Sequence, residues 1–154
     1  MKGISLAEEC QVVNVLPSVA ATSATESDWF HLKESAHASI IIATGAVTNA
    51  STFTLREATS SAGSGSTAIV FDYYATSTAG SDTYSTKTRA TAGGVSTGTT
   101  NNLTWILEVD SSQLSDGSAY LSLLFSTAAT IQIGAISVMS GRRYQEDVGL
   151  SAID

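Results

Sequence analysis

Leu103-Thr-Trp-Ile-Leu-Glu-Val-Asp110, Ser111-Ser-Gln-Leu-Ser-Asp-Gly-Ser118, Ala119-Tyr-Leu-Ser-Leu-Leu-Phe-Ser126 and Thr127-Ala-Ala-Thr-Ile-Gln-Ile-Gly-Ala-Ile-Ser-Val-Met139 run consecutively through the last third of the chain. They contain three strand-like runs and two breaks. Trp105, Leu107 and Val109 alternate with Thr104, Ile106 and Glu108. Tyr120 to Phe125 is apolar except at Ser122. Ile131, Ile133, Ala135 and Ser137 alternate with Gln132, Gly134, Ile136 and Val138. A period of two, filled by β-branched and aromatic residues, specifies strands rather than helices. Runs that are apolar at nearly every position are those of strands covered on both faces, by a second sheet or by a partner chain. Asp116-Gly117 reads as a turn, because glycine accepts positive φ without steric cost, and Asp110 to Leu114 suits a short helical turn.

Working outward from these runs, the same alternation recurs upstream. Asp28 to Leu32 reads as a short strand, and Ala36 to Gly45 as a longer one whose Ser39-Ile-Ile-Ile-Ala43 run suits a sheet centre. Ser51 to Ala58 places Phe53, Leu55 and Glu57 on one face and Thr52, Thr54 and Arg56 on the other. Ala68 to Tyr74 reads as one strand, and Thr83 to Thr91 as a polar strand at an edge. Between them, Thr59 to Thr67 is expected to be a flexible surface loop, Ala75 to Asp82 another, and Ala92 to Asn102 a mobile Gly-, Thr- and Asn-rich segment. About eight strands at roughly ten-residue spacing predict an all-β, antiparallel, jelly-roll-like β-sandwich.

The N-terminal segment Gln11-Val-Val-Asn-Val-Leu-Pro17 reads as an extended arm, since Pro17 forces Leu16 out of helical conformation. An apolar segment so near the terminus requires a cover, either its own sheet or a neighbouring subunit. Val12 to Ala21 lacks the adjoining basic region of a signal peptide, because Glu8 and Glu9 intervene. The expected division is an arm and linker over residues 1–27, a sandwich over 28–140 and a tail over 141–154.

Composition excludes several functions. The 154 residues suffice for one domain with a core that needs no disulfide or metal. Charged residues make up 14%, against about 25% in typical soluble domains. Such a Ser/Thr/Ala/Gly-rich surface is cheap to desolvate, whether against neighbouring subunits or simply as Thr-rich strand faces. The net charge of −7, with seven scattered Lys and Arg, offers no basic footprint for nucleic acid or for anionic membranes. No run approaches the roughly 20 apolar residues of a membrane span. Cys10 is the single cysteine, so it forms no intrachain disulfide, and it reads as a small hydrophobe in a reducing cytoplasm.

No catalytic or cofactor site is expected. His31 and His37, with Asp28 or Glu34, have the residue types of a metal site, but also those of ordinary polar strand positions. The Asp110/Asp116 and Asp72/Asp82 pairs lack the dense oxygen shell calcium needs and read as turn formers. No nucleophile elbow or phosphate loop is present. The sequons at Asn49 and Asn102 read as chance. Trp29, Trp105, Tyr73, Tyr74 and Tyr120 fit either a sugar-stacking platform or a core. Arg142-Arg143-Tyr144 fits either an interface anchor or the start of a solvated tail.

Five segments taken together, Glu8 to Pro17, Ser27 to Lys33, His37 to Ala46, Glu108 to Gly117 and Ser140 to Tyr144, resemble small structural proteins of tailed bacteriophages that decorate or cement the capsid. The resemblance implies a sandwich bound to the outside of an icosahedral head. It implies a homo-oligomer, a trimer first, contacting the major capsid protein where its subunits meet and reinforcing the shell against DNA pressure. The protein would be made in the host cytoplasm, would carry no enzymatic activity or cofactor, and would contact neither nucleic acid nor membrane. The expected contacts are Val12, Val13, Val15 and Leu16 on the arm and Arg142, Arg143 and Tyr144 on the tail, so that deleting Met1 to Pro17 would leave a folded domain unable to bind heads. The alternatives are another virion component (tail, collar or head-fibre base protein) or a carbohydrate-binding module.

Overall fold

The computed structural model describes residues 5–126, 130–142 and 153, with Arg142 described by its backbone alone. A helical turn, α1 (Leu6–Glu9), precedes β1 (Gln11–Ala21). Then follow β2 (Thr25–Glu26), β3 (Phe30–His31), β4 (Ser35–Val47), β5 (Thr52–Ala58), β6 (Thr67–Ile69), β7 (Asp72–Ala75), β8 (Thr88–Arg89), β9 (Val95–Ser96), β10 (Thr104–Asp110), a 3-10 turn (Ser111–Gln113), β11 (Tyr120–Ser126) and β12 (Ile131–Arg142).

The strands form two antiparallel sheets. The first is ordered β1-β12-β4-β10-β7-β8. The second is ordered β2-β11-β5-β6, with β3 also on β11 and β9 also on β5. The chain crosses between sheets repeatedly, among other places from β4 to β5, from β10 to β11 and from β11 to β12. The two inner faces interdigitate as in other sandwiches. From the first sheet, Ile40, Ile42, Trp105, Leu107, Val109, Ile131, Ile133 and Met139 point inward. Phe53, Leu55, Leu121, Leu123 and Phe125 meet them from the second. Phe53 is the hub, with ring centroids 5.7 Å from Trp105, 5.8 Å from Phe125 and 6.3 Å from Phe71. The period-two alternation thus forms the fold expected, an all-β antiparallel sandwich.

One local expectation is decided and three are corrected. Of the two covers expected for the N-terminal arm, the chain's own sheet is the one observed, so Gln11–Ala21 belongs to the sandwich. It is the edge strand of the first sheet, paired with β12 from Gln11 opposite Met139 to Ala21 opposite Ile131. Val15 and Leu16 are buried in this chain's own core, because that edge is where their apolar area can leave water. The register slips on both sides of Leu16, and Pro17, which has no N–H to give a ladder, sits in this bulged edge segment. Deleting residues 1–17 would therefore remove two core side chains, each worth roughly 2–4 kcal/mol.

The run Ala68 to Tyr74 is two strands in different sheets. The chain turns the corner at Val70 and Phe71, where the fully buried Phe71 packs against Phe53 and Tyr73. Residues 92–102 are anchored rather than loose. Val95 pairs with Phe53, and the Thr97 hydroxyl accepts the Ser51 N–H at 2.9 Å. Gly94, at φ +85, passes so close to β5 that a Cβ there would lie 2.3 Å from the Phe53 carbonyl oxygen. The expected polar strand Thr83 to Thr91 is reduced to the two residues of β8 and isolated bridges from Tyr84 to Thr76 and from Thr91 to Gly94. Its side chains are nearly all exposed, so burial gives little to hold a longer ladder.

Candidate functional site

The outer face of the first sheet presents its side chains in rows set by strand register. One row runs Asn14, Ile136, Ile41, Ile106, Tyr74 across β1, β12, β4, β10 and β7. The neighbouring row runs Val12, Val138, Ser39, Glu108, Asp72, Arg89. On the other side, Gly134 faces Ala43, and Ala43 faces Thr104. Ile136, Ile41 and Val12 keep 43%, 37% and 50% of their surface in water. Ile40 and Ile42, either side of Ile41, are fully buried, so the outward isoleucine is the part of that run that the fold leaves uncovered. A depression of about 440 Å³ opens beside this strip, walled by Asn14, Ser18, Ile41, Ala43, Gln132 and Gly134 among others. Among the described residues, no Asp, Glu, Lys or Arg lines it. An incoming apolar side chain would find no charge to desolvate there.

At one end the strip meets a polar cluster. The β4–β10 register sets Asp110 opposite His37 and Glu108 opposite Ser39. His37 Nε2 lies 2.6 Å from Glu108 Oε2 and Nδ1 lies 2.8 Å from Asp110 Oδ1. Ser39 Oγ donates to the same Glu108 oxygen at 2.6 Å. Two carboxylates facing both ring nitrogens require both nitrogens to donate, which is the imidazolium form. Burial pulls the His37 pKa down, but hydrogen bonds to Asp110 and Glu108 and their charges outweigh it and hold the pKa above its ordinary 6.5. Ser39 Oγ also lies 3.4 Å from Nε2, so a Ser-His-Asp alignment exists. An imidazolium with both N–H groups committed has no lone pair with which to take the serine proton.

The outer face of the second sheet is closed by its own polar contacts. Glu26 accepts from Arg56 at 3.2 Å and from the buried Ser122 hydroxyl at 2.8 Å. Arg56 also donates to Ser66 in the loop over residues 59–66. That loop is folded against the sandwich, with Gly63 so close to Trp29 that a Cβ would lie 2.6 Å from the indole. Lys33 donates to the Tyr120 hydroxyl at 3.2 Å and sits 5.0 Å from its ring centroid.

The sequence-derived candidates fall out as follows. Val12 lies on the exposed strip, Val13 is half-buried, and Val15 and Leu16 are core. Arg142 closes β12, while Arg143 and Tyr144 lie outside the described residues. His31 and His37 are not neighbours: His31 packs edge-on to Tyr120 on the second sheet, and His37 stands on the first. Among the described residues no group of three or more His, Cys, Asp and Glu has the arrangement of a metal site, and no helix is long and apolar enough to cross a membrane. Of the aromatic residues, Trp105 and Tyr120 are buried and Trp29, Tyr73 and Tyr74 half-buried. Sequence reasoning missed Ile41, Ile136 and the pairing of His37 with β10. Only the outward parity of Ile41 and Ile136 was there to find. Compared with models of known families and with characterised proteins, the chain matches none.

Proposed function

We propose that this is a structural virion protein that decorates the outside of a tailed-phage head, docking the outer face of its first sheet onto the major capsid protein. One observation carries the docking role: an apolar strip, Ile136 and Ile41 on inner strands with Val12 on the adjoining edge strand, left partly in water on a sheet face, beside a depression with no charged wall among the described residues. The resemblance of the five sequence segments supplies the phage and capsid part of the reading.

The strip sets the mode of binding. Four strands spaced about 4.8 Å apart and some five residues long cover roughly 300 Å², whereas a stable pairwise complex buries about 800 Å² per partner. One strip is thus too small for tight binding alone. A symmetric homo-oligomer, with a trimer favoured, engages several strips at once and converts weak contacts into avidity. The low charge of the chain keeps the desolvation cost of each contact small. The work is mechanical and needs no cofactor, and its place is the capsid exterior after synthesis in the host cytoplasm.

The test is to mix purified protein with expanded, undecorated heads, pellet them and image them by electron microscopy. Regular added density at symmetry-related positions is the expected result. Protein that stays in the supernatant, or that localises to tails, rejects the head-decoration reading.

A further inference from the structure

We infer that the cluster of His37, Glu108 and Asp110 is a proton-operated latch on the docking face: closed by the imidazolium, it lets the strip be covered, and opened by loss of one proton, it opposes docking. The inference rests on the docking reading above and adds its regulation.

The cluster borders the strip by register. Glu108 shares a row with Val138 and Val12, and Ile106, two residues before it on β10, shares a row with Ile41 and Ile136. Covering the strip therefore brings partner atoms against Glu108. With the latch closed, both carboxylates are matched by N–H donors of one cation. A neutral imidazole keeps one N–H and turns a lone pair toward the other carboxylate. Ser39 still holds Glu108, while the Asp110 side chain is 61% exposed and keeps its capping contact with the Gln113 backbone N–H, so it stays solvated and partnered without the ring. The contact to Asp110 is the one that opens. The border then carries one more uncompensated negative charge, which an apolar partner must desolvate.

Among the described side chains, the other charged group facing the cluster already has partners. On β7, Asp72 lies opposite Glu108 but is paired with Lys87 at 2.9 Å and Arg89 at 3.8 Å. On β12, Ser140 lies opposite His37, with Arg142 opposite Ser35. On the 3-10 turn, Gln113 accepts the Asp110 backbone N–H at 2.7 Å. The raised His37 pKa agrees with the closed geometry and sets the direction: the latch is closed below pH 6.5 and opens as pH rises through the folded-state value.

The experiment uses the full chain. The His37 ring is titrated by NMR to find its midpoint, and sedimentation with expanded, undecorated heads is measured on both sides of it. Near-UV circular dichroism at each pH checks that every variant stays folded. Affinity should fall as pH rises through the midpoint, by no more than about tenfold per pH unit because one proton is involved. His37→Gln should remove that dependence, and Asp110→Asn should reduce it. Wild-type affinity that is flat across the midpoint overturns the latch and leaves the docking reading standing. A His37→Gln protein with the wild-type slope does the same. Absence of binding at every pH overturns the docking reading, and the latch falls with it.

Discussion

The two outer faces of this sandwich are built from similar residues and finished differently. On the second sheet, outward side chains engage other parts of the chain: Glu26 takes Arg56 and Ser122, Arg56 reaches Ser66, and Trp29 lies against Gly63. On the first sheet, the central outward positions are Ile41 and Ile136, and no segment among the described residues closes over them. Exposed single hydrophobes are ordinary, but a row of them crossing neighbouring central strands marks an interaction surface. One face spends its side chains on this chain's own stability, and the other keeps them available.

The strongest way to break that contrast is to charge the bare face. Ile41→Asp with Ile136→Asp should weaken binding to expanded heads about a hundredfold or more, since central apolar anchors are worth about 2 kcal/mol each. Urea unfolding should lose about 1–2 kcal/mol, because both side chains are more than half covered and the two aspartates would face each other across β4 and β12, where like charges destabilise a sheet. A large loss of stability instead would show that the strip is part of the fold. The matching change on the closed face is Trp29→Ala. It should cost roughly 2 kcal/mol in urea unfolding, below the range for a fully buried Trp, and leave head binding intact. Glu26→Gln comes next. It weakens the pair with Arg56 and the acceptor for buried Ser122, so a loss of about 1 kcal/mol is expected, again by urea unfolding. The smallest effect concerns what lies beneath the bare face. The Ser137 hydroxyl is fully buried without a hydrogen-bond partner among the described residues. Ser137→Ala should therefore be neutral or raise stability by up to about 1 kcal/mol, because it deletes an unsatisfied polar group.

The alternation that specifies the strands was legible residue by residue. Trp105, Leu107 and Val109 point inward as a set, and Phe53, Leu55 and Glu57 share one face as their parity requires. The capping turn after Asp110 and the Asp116-Gly117 turn, with Gly117 at φ +83, were equally local. The edge strand was harder. An apolar segment ending in Pro17 has the same sequence whether it pairs with its own β12 or with a neighbour, and only the burial of Val15 and Leu16 distinguishes them. The corner at Val70 and Phe71 was hidden for a related reason: a β-rich run looks the same whether it stays in one sheet or changes sheets halfway.

By itself, then, the amino-acid sequence determined the strand-forming runs, the inward face of each, the absence of a basic footprint and a surface cheap to cover. Those properties belong to single residues and near neighbours, and a period of two expresses them directly. Tertiary structure alone decided which face of the triple-isoleucine run stayed bare, and that His37 would meet Glu108 and Asp110, 71 and 73 residues away. Parity assigns Ile41 to the face opposite Ile40 and Ile42, but cannot say whether anything lies over it. The pairing of β4 with β10 is a choice among many possible registers, made by the burial of both strands' inner faces at once.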